Sequence, residues 1–101
     1  MSGVTEFVYV IRPVRPGFLE EVLPEEMEAM GSHFQYLQDL LEKGQLLLAG
    51  PCLDRTFGLC VFKAGSEEEA REIMENDPAI KLGVMNGELH PYRASLFAGQ
   101  K

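Results

Sequence analysis

The sequence predicts an α+β fold, a split βαβ sandwich of order β-α-β-β-α-β, with a four-stranded antiparallel sheet and two helices on one face. Three observations lead to it. Short runs rich in β-branched and aromatic residues alternate with two stretches of helical periodicity, glycine and proline punctuate the junctions, and both faces of the strand runs are apolar. The chain has 101 residues, 46% of them apolar, which suffices for one domain spanning 1–101 with its core at about 5–95.

Residues 5–12 (Thr-Glu-Phe-Val-Tyr-Val-Ile-Arg) form the first strand, broken by Pro13 and by Pro16-Gly17. Pro24, Glu25 and Glu26 suit a first helical turn, and Met27, Met30, Phe34, Leu37, Leu40 and Leu41 follow at helical spacing up to Gly44, the natural C-cap. A second strand at 46–49 stops at Gly50-Pro51, and a third runs over 57–62. Ser66 followed by Glu69 is a capping box that starts a second helix from 67 to about 76. Asp77-Pro78 is an N-cap with a first-turn proline, predicting one further short turn before Gly83. The last strand covers 84–89 and extends towards about 97, with Gly87 and Pro91 inside it.

Alternation sends Phe7, Tyr9 and Ile11 to one face of the first strand and Val8 and Val10 to the other; in the third, Leu59 and Val61 oppose Cys60 and Phe62. Two helices cover only one of these faces. The other is expected to meet a second copy of the chain, giving a homodimer packed sheet on sheet. The alternative cover is the loop at 13–24 or the C-terminal tail.

Sixteen acidic against nine basic residues give a net charge of -7, which disfavours nonspecific binding to nucleic acid or an anionic membrane. No leader or membrane span is readable in the opening residues, so the cytoplasm is the expected location. Cys52 and Cys60 allow at most one disulfide, and Cys60 reads as a small buried hydrophobe. No glycine-rich phosphate loop, dinucleotide fingerprint or nucleophile elbow is present.

Chemistry is therefore sought in isolated polar residues. His33 falls about 40° from Leu37 around the first helix, beside Met30 and Phe34, where a neutral imidazole could exchange a proton. Asp77 could orient that imidazole or accept a proton itself, although capping the amides after Pro78 explains it equally simply. Arg12 and Arg93 are candidates for holding an anionic substrate group, and Tyr9 and Tyr92 for lining a pocket. His90 shares a strand face with Glu88 and Tyr92. A metal triad of His33, Asp77 and His90 lacks any closely spaced ligand pair, and no metal is expected.

Taken together, His33 within residues 33–40, Gly44 after that helix, Ala49-Gly50-Pro51, Gly58, Glu68-Glu69-Ala70, Asp77-Pro78 with Gly83, and Pro91-Tyr92 resemble the YCII-related (YciI-like) family over residues 5–95. The resemblance implies a ferredoxin-like sandwich of the dimeric α+β barrel type, with a site pair at His33 and Asp77 at the edge of a cleft between helices and sheet. Some similar domains act on chlorinated hydroxylated aromatics or resemble muconolactone-isomerising proteins. Loop 52–56 is short beside the insertions of some relatives.

The expectation is thus a small-molecule enzyme of lyase or isomerase type acting on a small cyclic metabolite. His33 would move a proton and Asp77 would orient it or serve as its partner acid-base group, with no organic or metal cofactor demanded. A noncatalytic dimeric ligand-binding or accessory domain is the alternative. The discriminating geometry is a His33–Asp77 separation of roughly 3 to 5 Å beside a shared concavity.

Overall fold

A computed structural model describes residues 5–98; residues 1–4, part of the opening segment read for the lack of a leader, and residues 99–101 lie outside the described range. The chain runs β1 (Glu6–Pro13), α1 (Pro24–Glu42), β2 (Leu46–Pro51), β3 (Gly58–Lys63), α2 (Glu67–Glu75), α3 (Pro78–Lys81) and β4 (Met85–Tyr92). The strands form one antiparallel sheet in the order β2-β3-β1-β4, the ferredoxin-like arrangement used by dimeric α+β barrels. Among the described residues no helix is long and apolar enough to cross a membrane.

β1 is central and supplies the floor of the core. Its inward residues Phe7, Tyr9 and Ile11 pair across to Phe62, Cys60 and Gly58 of β3, and Phe7, Tyr9, Ile11, Cys60 and Phe62 are buried. The Phe62 ring lies 6.0 Å from Phe7 and meets Tyr9 edge-on at 5.6 Å. Each such aromatic removed from water contributes roughly 1.5–3 kcal/mol. On the opposite face Val8, Val10 and Leu59 stay half-buried and outside this core, so the expected second apolar face exists. Arg12, Glu88 and His90 flank it in a surface cluster, with Glu88 3.2 Å from Arg12 and 2.8 Å from His90. These partners, His90 foremost, hold the Glu88 carboxyl below its ordinary range.

Two strand limits differ from the sequence reading, the first being β2, which runs on through Gly50 and Pro51 where it was expected to stop. β4 ends at Tyr92 rather than near 97, because the chain turns off there and the Ala94 amide donates to Glu6 Oε1 at 2.8 Å. β2 carries a register shift between Leu46 and Leu48; the extra residue, Leu47, lets Leu46 be buried while Leu48 faces outward. The expected short turn is the four-residue helix α3. Gly87 in β4 admits the helices closely, since a Cβ there would sit 2.6 Å from Ile80 Cδ1 and 3.0 Å from Met74 Sδ.

Helix α1 departs most from its predicted face. Projected at about 100° per residue, Ala29, Leu40, His33, Glu26 and Leu37 share an arc of about 80° and are buried. Met30, Leu41, Phe34 and Met27 extend the same arc by about another 80°, yet Met27, Phe34 and Leu41 are more than half exposed. The apolar stripe is twice as wide as the sheet can cover. Phe34, expected on the inward side beside His33, therefore belongs to the uncovered half.

Glu26 has a different reason to be inside. Its carboxylate takes both Arg15 Nε at 2.7 Å and Arg15 Nη2 at 2.8 Å, and Oε1 also accepts the Leu23 amide at 2.8 Å, closing the helix start. Arg15 in turn donates to the Glu21 carbonyl, tying the β1–α1 loop down. The paired guanidinium, with the Leu23 amide, lowers the Glu26 pKa from an ordinary 4.5 to about 2. A depressed folded-state pKa supports the fold fully above about pH 4.5 and loses that support as the pH falls towards 2. Urea unfolding should accordingly show Glu26→Gln less stable than wild type near neutral pH, with the gap narrowing in acid; a gap independent of pH contradicts the assignment.

Candidate functional site

His33 reaches the site because α1 packs against β2 and α3 with its buried arc inward, and Asp77 because it caps α3 at the joint with α2. Asp77 is 0% exposed. Its Oδ1 accepts the Ala79 amide at 2.9 Å, which is the capping contact anticipated from Asp-Pro. The same carboxylate faces His33 Nδ1, 2.8 Å from both oxygens, and accepts the Tyr9 hydroxyl at 2.6 Å through Oδ2. The structure thus brings together residues 44 apart in sequence, at direct hydrogen-bond distance.

Three donors converge on one buried carboxylate, so its lone pairs are satisfied without solvent. Burial pushes the Tyr9 hydroxyl far above its ordinary pKa, with the adjacent Cys60 and Asp77 adding to the effect, so Tyr9 stays a proton donor. Cys60 is likewise pushed up to about 12, chiefly by burial, which makes it a thiol and not a nucleophile. Cys52 and Cys60 are both free.

An Asp77 that accepts at Nδ1 fixes the imidazole tautomer and leaves Nε2 as the free nitrogen. His33 lines a cavity of about 1020 Å³ bounded by α1, the β1–α1 loop, β2 and the β2–β3 loop. Phe18 and Leu19 of the loop, Phe34 and Leu41 of the uncovered arc of α1, and Phe57 form apolar walls. Leu46–Pro51 closes the edge-strand side. Met30, Phe34 and Leu41 of the outer half of the α1 stripe are therefore cavity wall, whereas Met27 is not among the lining residues.

The other expected site residues lie elsewhere. Tyr9 is buried beneath the dyad and does not line the cavity. Arg12 sits on the outer sheet face, paired with Glu88, its guanidinium carbon 5.6 Å from the centroid of the Phe57 ring whose residue forms a wall. Tyr92 and Arg93, exposed at the end of β4, are not among the lining residues. His90 pairs with Glu88 outside the cavity. Among the described residues no group of three or more His, Cys, Asp or Glu converges as a metal site. Arg55, Gln38, Phe18 and Phe57 are lining residues that sequence reasoning did not single out. Only the helical phase of Gln38, one residue past Leu37, could have pointed to any of them.

The comparisons with known proteins agree with this architecture. A 5-chloro-2-hydroxyhydroquinone dehydrochlorinase from Burkholderia phenoliruptrix, solved in complex with 2,5-dihydroxybenzoquinone, superposes with a TM-score of 0.65 at 25% identity, covering 86% of this chain and 93% of its own. Derivative of benzaldehyde biosynthesis cluster protein C from Emericella nidulans is 35% identical, over 65% of this chain and 79% of that protein. The uncharacterized protein YjpA from Bacillus subtilis is 38% identical over 55% of this chain and 66% of its own. Residues 7–89 match the YCII-related domain, and the chain belongs to that family.

Proposed function

We propose that the protein is a small-molecule enzyme in which His33 transfers a proton within the cavity while Asp77 holds its ring. The single observation that carries this is the hydrogen bond from His33 Nδ1 to a buried, fully satisfied carboxylate beside a large apolar cavity. In the proposed step the Nε2 lone pair takes a proton from a ring hydroxyl or an activated C–H of the ligand. The electron pair left behind expels a leaving group from a neighbouring carbon, or the imidazolium returns the proton at a different carbon. The first outcome is lyase chemistry and the second isomerase chemistry. Asp77 stabilises the imidazolium during transfer, and the apolar walls limit water. Likeness to a dehydrochlorinase supports a small cyclic, oxygenated ligand.

The competing reading is a noncatalytic binding domain, favoured by the fact that Asp77 also caps α3 and holds Tyr9, contacts that a structural role would make on its own. Chlorinated hydroxyhydroquinones and small lactones, incubated in deuterated buffer and followed by proton NMR, separate the two. Turnover or deuterium incorporation that disappears in His33→Ala while ligand binding survives supports catalysis. Unchanged turnover in that variant removes His33 from the role.

The half-buried outer face of Val8, Val10 and Leu59 supports a homodimer packed sheet on sheet. Light scattering on a sizing column should give about twice the 11.3 kDa chain mass, and Val10→Lys, which places a charge at the centre of that face, should give the monomer mass. A wild-type monomer at micromolar concentration contradicts the proposal. Two free cysteines fit a reducing compartment such as the cytoplasm.

A further inference from the structure

The chemistry of the cavity wall is lopsided. Of its lining residues only His33, Gln38 and Arg55 carry hydrogen-bonding or charged side chains beyond a thiol or thioether; the rest are aliphatic, aromatic, methionine, glycine, proline or cysteine. The chain has sixteen acidic residues, yet none of the described lining residues is Asp or Glu. The Asp77 carboxylate is held by the His33 ring, the Tyr9 hydroxyl and the Ala79 amide and does not line the cavity. A molecule of net charge -7 thus has a cavity lined by one cation and no anion.

That cation is held in an unusual way. Arg55 has φ +70°, and no other non-glycine residue among those described has positive φ. A tight loop fixes it: the Arg55 amide donates to the Cys52 carbonyl at 3.0 Å, Cys52 donates to the Phe57 carbonyl at 2.8 Å, and Asp54 Oδ1 accepts both the amide and the hydroxyl of Thr56. The Thr56 contacts keep the Asp54 carboxyl below its ordinary range and turned to the loop. Arg12, Arg15 and Arg71 are each paired with a carboxylate, whereas Arg55, like Arg93 outside the cavity, forms no ion pair among the described residues. Non-glycine residues in the left-handed region are uncommon and cluster at ligand sites.

We propose that Arg55 is the anion-recognising residue of this cavity, and that the ligand is a small apolar ring carrying an anionic oxygen, a carboxylate or an ionised ring hydroxyl. Arg55 determines specificity and His33 is left free to act on the ring. The proposal rests on the reading of the His33 cavity as a ligand site. It adds that an anion is drawn in against the field of the whole molecule, as that field would otherwise repel it. A planar guanidinium matches either oxygen group with two donors.

Binding of benzoate and its neutral isostere benzamide, measured by calorimetry or ligand-observed NMR, tests this, with 2,5-dihydroxybenzoquinone as the ionised-hydroxyl probe. Wild type should bind at least one anionic probe on the order of tenfold or more tightly than benzamide, and which one it prefers identifies the oxygen group. Arg55→Gly, which glycine's tolerance of positive φ keeps free of strain, should bring that probe down to the benzamide level, and Arg55→Lys should keep most of the preference. His33→Gln should retain it, so that failure of the proton-transfer reading leaves this result intact. Equal affinities in wild type, no saturable binding of any probe, or an unchanged anion preference in Arg55→Gly overturns the proposal. A preference lost in His33→Gln but kept in Arg55→Gly overturns it too, by assigning the anion to the imidazole.

Discussion

Replacing Asp77 by alanine is expected to cost about 3–5 kcal/mol of folding stability, the range for removing one partner of a buried polar pair. The mechanism is specific. Three donors, the Tyr9 hydroxyl, His33 Nδ1 and the Ala79 amide, lose one acceptor that is 0% exposed, and α3 loses its cap. Unpaired buried donors carry the full desolvation penalty, which is larger than the net value of the bonds themselves. Against a typical domain stability of about 5–15 kcal/mol, this should lower the thermal midpoint by on the order of 20 °C. Asp77→Asn is the control, because the amide keeps the volume and can still accept from Ala79. It should cost clearly less than the alanine variant in a denaturant titration. Equal losses in the two variants would mean that volume, and not hydrogen bonding, carries the effect.

The second large effect is on chemistry. His33→Gln should lower turnover of an accepted substrate by about 10²–10⁴-fold, the usual range for a positioned acid-base group. Asp77→Asn should lower it comparably while leaving His33 in place. The side-chain amide can donate to Nδ1, which moves the ring proton to Nε2 and turns that nitrogen from acceptor to donor. The same exchange in other acid–histidine pairs costs on the order of 10⁴-fold. Nitrogen-15 NMR of the ring reads this directly, with Nδ1–H expected in wild type and Nε2–H in Asp77→Asn. The same tautomer in both proteins would show that Asp77 does not set it. Tyr9→Phe should leave the tautomer unchanged, since it removes a donor to Oδ2 without touching Nδ1.

How far each part was legible depends on the range of the interaction that fixes it. Element order followed from local signals that act over a few residues: proline at the start of α1 and α3, Ser66 accepting from the Glu69 amide at 3.1 Å, and positive φ at Gly44 and Gly83. Strand faces followed from the period of two, so Phe7, Tyr9 and Ile11 could be assigned one side without knowing what covers it. His33 and Asp77 could be named as candidates from residue chemistry, and the family resemblance joined them.

Tertiary structure decided everything that needs two elements in contact. No spacing rule relates His33 to Asp77, because the 2.8 Å contact depends on α1 packing against α3, whose N-cap is Asp77. Tyr9 was readable as inward-facing but not as Asp77's donor, since a face says nothing about what stands opposite its hydroxyl. The α1 stripe of Met27, Met30, Phe34, Leu37, Leu40 and Leu41 has one helical phase in sequence. Only the limited breadth of the sheet divides it into buried Leu37 and Leu40 and exposed Phe34 and Leu41, with Leu37, Phe34 and Leu41 all reaching the cavity. Arg55 was invisible for the opposite reason. Its place follows from a backbone angle that a loop of four hydrogen bonds imposes and that an arginine does not choose for itself. The sequence by itself determined which groups are available and which way each strand and helix faces, because those depend on bonded neighbours. Packing determined which of them meet, because distance between remote residues is a property of the assembled chain.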